Sequence, residues 1–349
     1  MNRPLVPPVR RLSSFCREAA GTAVYWSGIG RAFEMTARPT GAIVLMYHSV
    51  SGDGPAAFID PPNRLSPAMF ERQMAFLSEH RRVVPLSQVV EQIAAGASPP
   101  AGTVCITFDD GYLDNLTVAA PILEKHRLAA TLYLATGYVE RVETQWADIL
   151  YSMLEYRTSD QLSIPSIGLD RADLASPAGR AATRGLLHRH LLESGHEDRA
   201  RVLSEAERQL APVGKPPRLT MNWDEVRELR RRFPFFEIGG HTRDHIDLRK
   251  HRGVAARSQI TGCAQDLRRE LGLGPGHFSF PYARWCEETR DAVVALGWRS
   301  AVGMGSGLRI AGASDRFAMP RVESPRTMTE LRFKTSGAYP GALSMLGLI

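Results

Sequence analysis

Short runs dense in apolar and β-branched residues recur along the chain: AIVLMYH (42–48), TVCITFD (103–109), AATLYLA (129–135), FFEIGGH (235–241), HFSFPY (277–282), RSAVGM (299–304) and FAMPRVE (317–323). Their length and composition are those of buried strands. Between them lie segments of helical period with readable starts. Ser66 followed by Pro67 opens AMFERQMAFLSEH, Ser87 opens QVVEQIAAG, and Asn222 with Glu225 has capping-box spacing before VRELRRR. Asp114 and Asn115 are expected to cap the helix after the second strand. Strands alternating with helices predict parallel βα units, and seven of them predict an incomplete relative of the (β/α)8 barrel. One connection is too long for a simple crossover. From Gly137 to about Pro217 the pattern is helical and charged, an insertion that begins beside the carboxyl end of the third strand. Trp146, Asp148 and Tyr151 are expected either to wall a site there or to belong to a helical pad that only adds bulk.

Composition narrows the class. The chain has 349 residues, 44% hydrophobic and 23% charged, enough for one large or two ordinary soluble domains. Its four cysteines (Cys16, Cys105, Cys263, Cys286) show no CxxC pairing, which argues against a zinc–cysteine site and favours reduced thiols and a cytoplasmic location. Six arginines in the first forty residues face only Glu18 and Glu34, around the stretch AAGTAVYWSGIGRAF. That stretch is too short and too weakly apolar to span a bilayer, and no clear cleavage site follows it. It is expected either to touch a membrane interface peripherally, such as the inner face of a bacterial membrane, or to pack as a helix on the main domain. The basic runs elsewhere lack interleaved aromatics, so nucleic acid is not an expected partner. The organisation expected is a segment 1–40, a main domain 41–323 with its insertion at about 140–218, and a tail 324–349.

Polar groups collect at the ends of the strands. The first ends in Tyr47-His48, the second in Asp109-Asp110, the fourth in Gly240-His241 followed by TRDH, the fifth in Pro281-Tyr282, and the last carries Arg321. In a parallel barrel these ends share one face. Two adjacent carboxylates where a buried strand emerges repel each other and lose hydration, which a bound cation would offset; the plainer reading is a solvated turn with Gly111. His241 and His245 are four apart, so one helical turn would set both imidazoles on one side. Two histidines and a carboxylate form a three-ligand arrangement with a coordination position left open. Gly239 and Gly240 permit close backbone approach.

TFDDG and HTRDH, in this order, resemble the first two signatures of the polysaccharide deacetylases of carbohydrate esterase family 4, the NodB-homology domain. LMYHSV resembles the subgroup that acts on exported poly-N-acetylglucosamine and related exopolysaccharides, FSFPYARW the third signature, and FAMPRVE the last barrel strand. The resemblance covers roughly residues 42–136 and 220–323. It implies a distorted (β/α)7 barrel with a helical insertion after the third strand. It also implies a metal-dependent hydrolase that removes N-acetyl groups from an amino-sugar polymer or lipid-linked glycan, at a non-peptide carbon–nitrogen bond. Asp110, His241 and His245 would be metal ligands, Asp109 the general base, and the backbone N–H of Tyr282 an oxyanion donor. Zinc is the default cation, with cobalt, nickel, iron or manganese compatible.

Two positions depart from the family pattern. Where the third signature often carries an arginine that orients the base, this chain has Ser279, and Arg321 is the expected substitute. The late Leu-x-His signature is absent: no histidine follows His277, which begins its strand and points to the wrong end. His48 is the remaining candidate for a proton donor or substrate-positioning group. Two further readings keep these residues: a deformylase or amidohydrolase acting on a lipid-linked aminosugar or small amide, and an inactive carbohydrate-binding scaffold in an export complex.

Overall fold

The computed structural model describes residues 40–52, 58–214, 217–303 and 309–336. Six parallel strands follow one another around a barrel: β1 (Ala42–Tyr47), β2 (Thr103–Phe108), β3 (Ala130–Leu134), β4 (Phe236–Gly240), β5 (His277–Ser279) and β6 (Ser300–Gly303). The seventh, β7, is interrupted at one residue. Its first half, Met319–Pro320, pairs with β6, and its second, Val322–Glu323, pairs with β1. Strand β7 is therefore bonded on both sides and closes the sheet, with Arg321 at the closure. The pairing is uneven. Six residue pairs join β1 to β2, but only one, Phe278 with Gly240, joins β5 to β4. This is a distorted (β/α)7 barrel.

Period-two alternation decides which side chains face inward. In β2, Val104, Ile106 and Phe108 pack outward beneath the helices, in one core with Ile43, Leu45 and Tyr47 of β1. Cys105 of β2, with Ala42 and Val44 of β1, belongs to a second cluster containing Tyr133, Val302 and Met319. Extending that inward phase past the strand ends reaches His48, Asp109, His241, Ser279 and Arg321. The alternation that builds the core thus delivers the polar residues to one mouth.

The helices between strands are α1 (Pro67–His80), α2 (Leu86–Ala94) and α3 (Ala120–Lys125). Ser66 caps α1 by accepting from Met69 N. Ser87 does not cap α2: the helix starts at Leu86, with Pro85 at the cap position, and the Ser87 N–H goes to the Glu237 carboxylate. Asp114 and Asn115 are not caps either. A π-helical turn, Asn115–Ala119, precedes α3; Asp114 accepts from Ser49 Oγ and Val50 N, and Asn115 Nδ2 donates to His48 O. Both side chains tie the stretch after β1 to the turn after β2.

The insertion comprises α4 (Thr136–Arg141), α5 (Trp146–Glu155), an antiparallel hairpin of Gln161–Ile164 with Leu169–Asp173, α6 (Pro177–Glu193) and α7 (His196–Leu210). The hairpin departs from the all-helical expectation; Gly168, at φ 74°, turns the chain back between its short strands. Leu150, Leu162, Leu187, Leu191, Val202 and Leu210 give the insertion its own core. The chain continues through α8 (Trp223–Arg232), α9 (Gly253–Leu271), α10 (Glu287–Ala295) and α11 (Met328–Thr335). The capping box of α8 has both of its hydrogen bonds. The described part of the tail buries Leu331 of α11 in the outer core. The basic segment of residues 1–39, with its expected membrane contact, lies outside the described residues. Among the described residues no helix is long and apolar enough to cross a membrane.

Candidate active site and metal centre

The turn after β2 sends its two carboxylates different ways. Asp109 continues the inward phase of the strand. Asp110 then takes φ 76°, a left-handed conformation that favours glycine, and Gly111 follows at φ 88°. Such strain at a non-glycine residue costs about 1–3 kcal/mol and persists only where the surroundings enforce it. The loop after β4 repeats the device, with Thr242 at φ 61° and His245 at φ 47°. The HxxxH stretch is thus not a helical turn, as the spacing suggested. Two left-handed residues coil the loop instead and bring the rings of His241 and His245 to 4.8 Å between centroids.

The result is a three-donor cluster. One ligand atom each from Asp110, His241 and His245 lies within 4.8 Å of the others. Nε2 of His241 is 3.7 Å and Nε2 of His245 3.3 Å from Asp110 Oδ1. Both Nδ1 atoms face away, toward Ser279 O at 2.7 Å for His241 and Tyr282 Oη at 3.1 Å for His245. Asp110 Oδ1 is buried without a hydrogen-bond partner. Burial, followed by the charges of Asp109 and Asp148, pushes the Asp110 carboxyl well above its usual range. Burial pulls both imidazoles down. Ser279 O can only accept, so His241 Nδ1 carries the proton and its Nε2 lone pair is free; with His245 and a carboxylate oxygen that lacks a donor, this is a donor set suited to a divalent cation.

Asp109 is held differently. Arg321 Nη1 and Nη2 bond its two oxygens at 2.7 and 2.6 Å, and Nη2 also donates to Ser279 Oγ at 2.8 Å. Both side chains are almost fully buried, 1% and 2% exposed. Burial alone would raise the Asp109 carboxyl. The Arg321 guanidinium, with His241, outweighs it and holds the group well below the usual carboxylate range. Arg321 and Asp109 are thus brought together by two hydrogen bonds. The small Ser279 leaves room, and the break in β7 lets the guanidinium reach inward.

Tyr282 lies in a short 3-10 turn, Pro281–Ala283, and itself has φ 57°. Its hydroxyl accepts from Trp146 Nε1 at 2.8 Å, so the insertion does wall the site. His48, half-buried at the mouth, is pulled down to about 4 by burial against the opposing pull of Asp109. Asp148 is fully buried and accepts from Tyr112 Oη and Asp60 N, which links α5 to the residues after Asp110. Tyr151 lies apart from the cluster, beneath the guanidinium of Arg184. Asp244 pairs with Arg141, and Asp247 with Arg284; neither is the partner of Nδ1 of His241 or His245. Buried His277 bonds Ser300 Oγ at the opposite end of the barrel.

One residue of the site had escaped the sequence reading. Arg199, 1% exposed, donates to the carbonyls of Asp244 and His245. A signal existed: Arg199 lies on the same helical stripe as Val202, Leu203, Ala206 and Leu210, a charged residue in an apolar face.

A parallel barrel with an Asp-His-His cluster and a separately held carboxylate at its carboxyl face defines a candidate barrel hydrolase. Residues 96–160 and 200–301 match the family model for polysaccharide deacetylase. The gap in the match falls within the helical insertion. YxkH of Bacillus subtilis (strain 168) is 31% identical over 101 residues, covering 28% of this chain and 33% of that one, so the match spans a third of that relative. Among solved structures, the deacetylase PplD of Streptococcus pyogenes, in complex with acetate, has a TM-score of 0.57 at 16% identity, over 85% of this chain and 99% of that one. IcaB from Ammonifex degensii has a TM-score of 0.54 at 16% identity, over 85% and 97%. At these identities the two structures speak for the shared fold.

Proposed function

We propose that the protein is a divalent-metal-dependent deacetylase that hydrolyses N-acetyl groups on the amino sugars of a polysaccharide or lipid-linked glycan. The observation that carries this reading is the unpartnered buried oxygen of Asp110 facing two imidazole nitrogens, beside a second carboxylate, Asp109, that Arg321 bonds at both oxygens and whose Oδ2 lies 3.7 Å from His241 Nε2. The match to the polysaccharide deacetylase family model supports the substrate class.

Asp110, His241 and His245 would hold the cation, zinc by default. When bound it supplies Lewis acidity toward the amide carbonyl. Asp109, kept ionised by Arg321, accepts the proton of the attacking water. Because both of its oxygens are engaged by the guanidinium, the carboxylate stays a base and does not rotate into the ligand set. The main-chain N–H of Tyr282 donates to the oxygen that gains charge as the carbonyl is attacked. His48, neutral at physiological pH, carries no spare proton to give. The proton on Asp109 therefore returns to the leaving amine, and His48 positions the sugar.

Acyl release by the zinc-loaded protein, read as acetate from N-acetylglucosamine oligomers and a small acetylated aryl amide and as formate from a formylated lipid-linked sugar, tests the reading. Release from the oligomers, lost in Asp109→Asn and Asp110→Ala, is the expected result. Glycan binding without acetate release at full metal occupancy would point to a scaffold; faster turnover of the formylated sugar would point to a deformylase.

A further inference from the structure

The insertion meets the His245 loop at two places, the hydroxyl oxygen of Tyr282 and the carbonyls of Asp244 and His245. Trp146, the first residue of α5, donates Nε1–H to it at 2.8 Å. Arg199, in the first turn of α7, brings Nη2 to 3.4 Å, and its guanidinium lies 5.3 Å from the Trp146 ring centroid. His245 Nδ1 is 3.1 Å away, and the hydroxyl itself donates to His245 O at 3.2 Å. A phenol has one proton to give, and an indole N–H can only donate. The hydroxyl proton has two acceptors in reach, His245 O at 3.2 Å and His245 Nδ1 at 3.1 Å, and of these the carbonyl can only accept whereas the ring nitrogen can also donate. With the proton given to the carbonyl, Nδ1 carries its own proton toward the hydroxyl oxygen and leaves the Nε2 lone pair facing Asp110 Oδ1 at 3.3 Å.

Arg199 adds a second constraint. It is almost fully buried, yet among the described residues its hydrogen bonds go to oxygens that carry no formal charge: Leu191 O at 2.7 Å, Asp244 O at 3.1 Å, His245 O at 3.2 Å and the Tyr282 hydroxyl. A guanidinium buried without a carboxylate is expensive in desolvation, and this one is spent on the loop whose His245 stands at φ 47°.

We propose that the insertion is a positioning device for the second histidine of the cluster: Trp146 and Arg199 orient the Tyr282 hydroxyl and hold the loop, locking His245 as the Nδ1–H tautomer with Nε2 presented to a divalent cation. The consequence for metal rests on the function proposed above; the tautomer itself is a property of the protein without metal.

The test uses full-length, chelator-stripped protein labelled with 15N-histidine: wild type, Tyr282→Phe, Trp146→Phe and Arg199→Lys, with the His245 signals identified by loss in His245→Gln. Two-bond 15N–1H spectra read the tautomer, and competition against a chromophoric chelator reads Zn2+ affinity. The expected result is a single Nδ1–H tautomer in the wild type and a mixture in Tyr282→Phe and Trp146→Phe. Zn2+ binding should weaken about tenfold in both, and Arg199→Lys, which keeps the charge and loses the fork, should fall between. An Nε2–H tautomer in the wild type overturns the proposal, as do Tyr282→Phe and Trp146→Phe proteins that keep both tautomer and affinity within twofold. Tyr282→Phe keeps the ring, so it remains informative if Trp146→Phe unfolds. A wild type with the Nδ1–H tautomer but no Zn2+ binding would leave the positioning role standing and remove the metal-dependent function.

Discussion

Arg321→Met removes the partner of a buried carboxylate and leaves Asp109 in place. The pair is bidentate at 2.7 and 2.6 Å, and neither side chain is more than 2% exposed. Solvent cannot replace the lost charge, so the cost is that of an uncompensated buried ion, about 3–5 kcal/mol. Asp109→Asn, which strands the guanidinium, should cost a similar amount. The double variant removes both charges and should cost much less than the sum, giving a coupling of about 3 kcal/mol, read from urea unfolding midpoints of chelator-treated proteins. The pH dependence has a definite sign. Because pairing holds Asp109 below its unfolded value, the stabilisation is present above about pH 4 and is lost as pH falls further. In Arg321→Met the burial of Asp109 is opposed only by His241 and His48, its carboxyl moves up, and turnover falls about 10²–10⁴-fold because a protonated base cannot accept a proton. Single variants costing less than about 1 kcal/mol, with additive effects in the double, would refute the reasoning.

Three other perturbations read different parts of the structure. Gly239→Ala places a Cβ 2.4 Å from the carbonyl oxygen of His277 and 2.6 Å from the Tyr133 ring; backbone cannot yield there, and thermal unfolding should show a loss of about 1–3 kcal/mol or more. The Asp148 carboxyl is pushed up to about 7 by burial, so the folded protein keeps a proton that the unfolded chain releases near pH 4, and stability falls by up to about 4 kcal/mol as pH rises from 4 to 7. Asp148→Asn should therefore be less stable than wild type at pH 5, where it loses an acceptor, with the gap narrowing toward pH 8 in denaturant titrations. Dipicolinate treatment should abolish acetate release and Zn2+ should restore it, with far-ultraviolet circular dichroism unchanged throughout, because the cluster is framed by Ser279 O, Tyr282 Oη and Arg321 independently of the ion.

What could be read along the chain, and what could not, follows from range. The strands and their polar ends were legible because one alternation sets both the core and the mouth: Cys105, Thr107 and Asp109 share a phase, as do Met319 and Arg321. Local rules failed where distant groups outbid them. Ser87 gives its N–H to Glu237, and Asp114 and Asn115 bond residues near β1 rather than a helix end. HTRDH has helical spacing, but Arg199 and Tyr282 hold its carbonyls, and two left-handed residues replace the helical turn. The stand-in for the family arginine could be named from its strand end, whereas its reach to Asp109 depends on barrel closure, which no local pattern encodes. Arg199 sat in plain sight within EDRARVL, masked by the charge of its neighbours.

The most direct measurement is calorimetric titration of Zn2+ into chelator-stripped protein. The account predicts one ion bound per chain through the Asp110, His241 and His245 cluster, lost in Asp110→Ala and kept in Asp109→Asn. Equal binding by wild type and Asp110→Ala, or none by wild type, would contradict it.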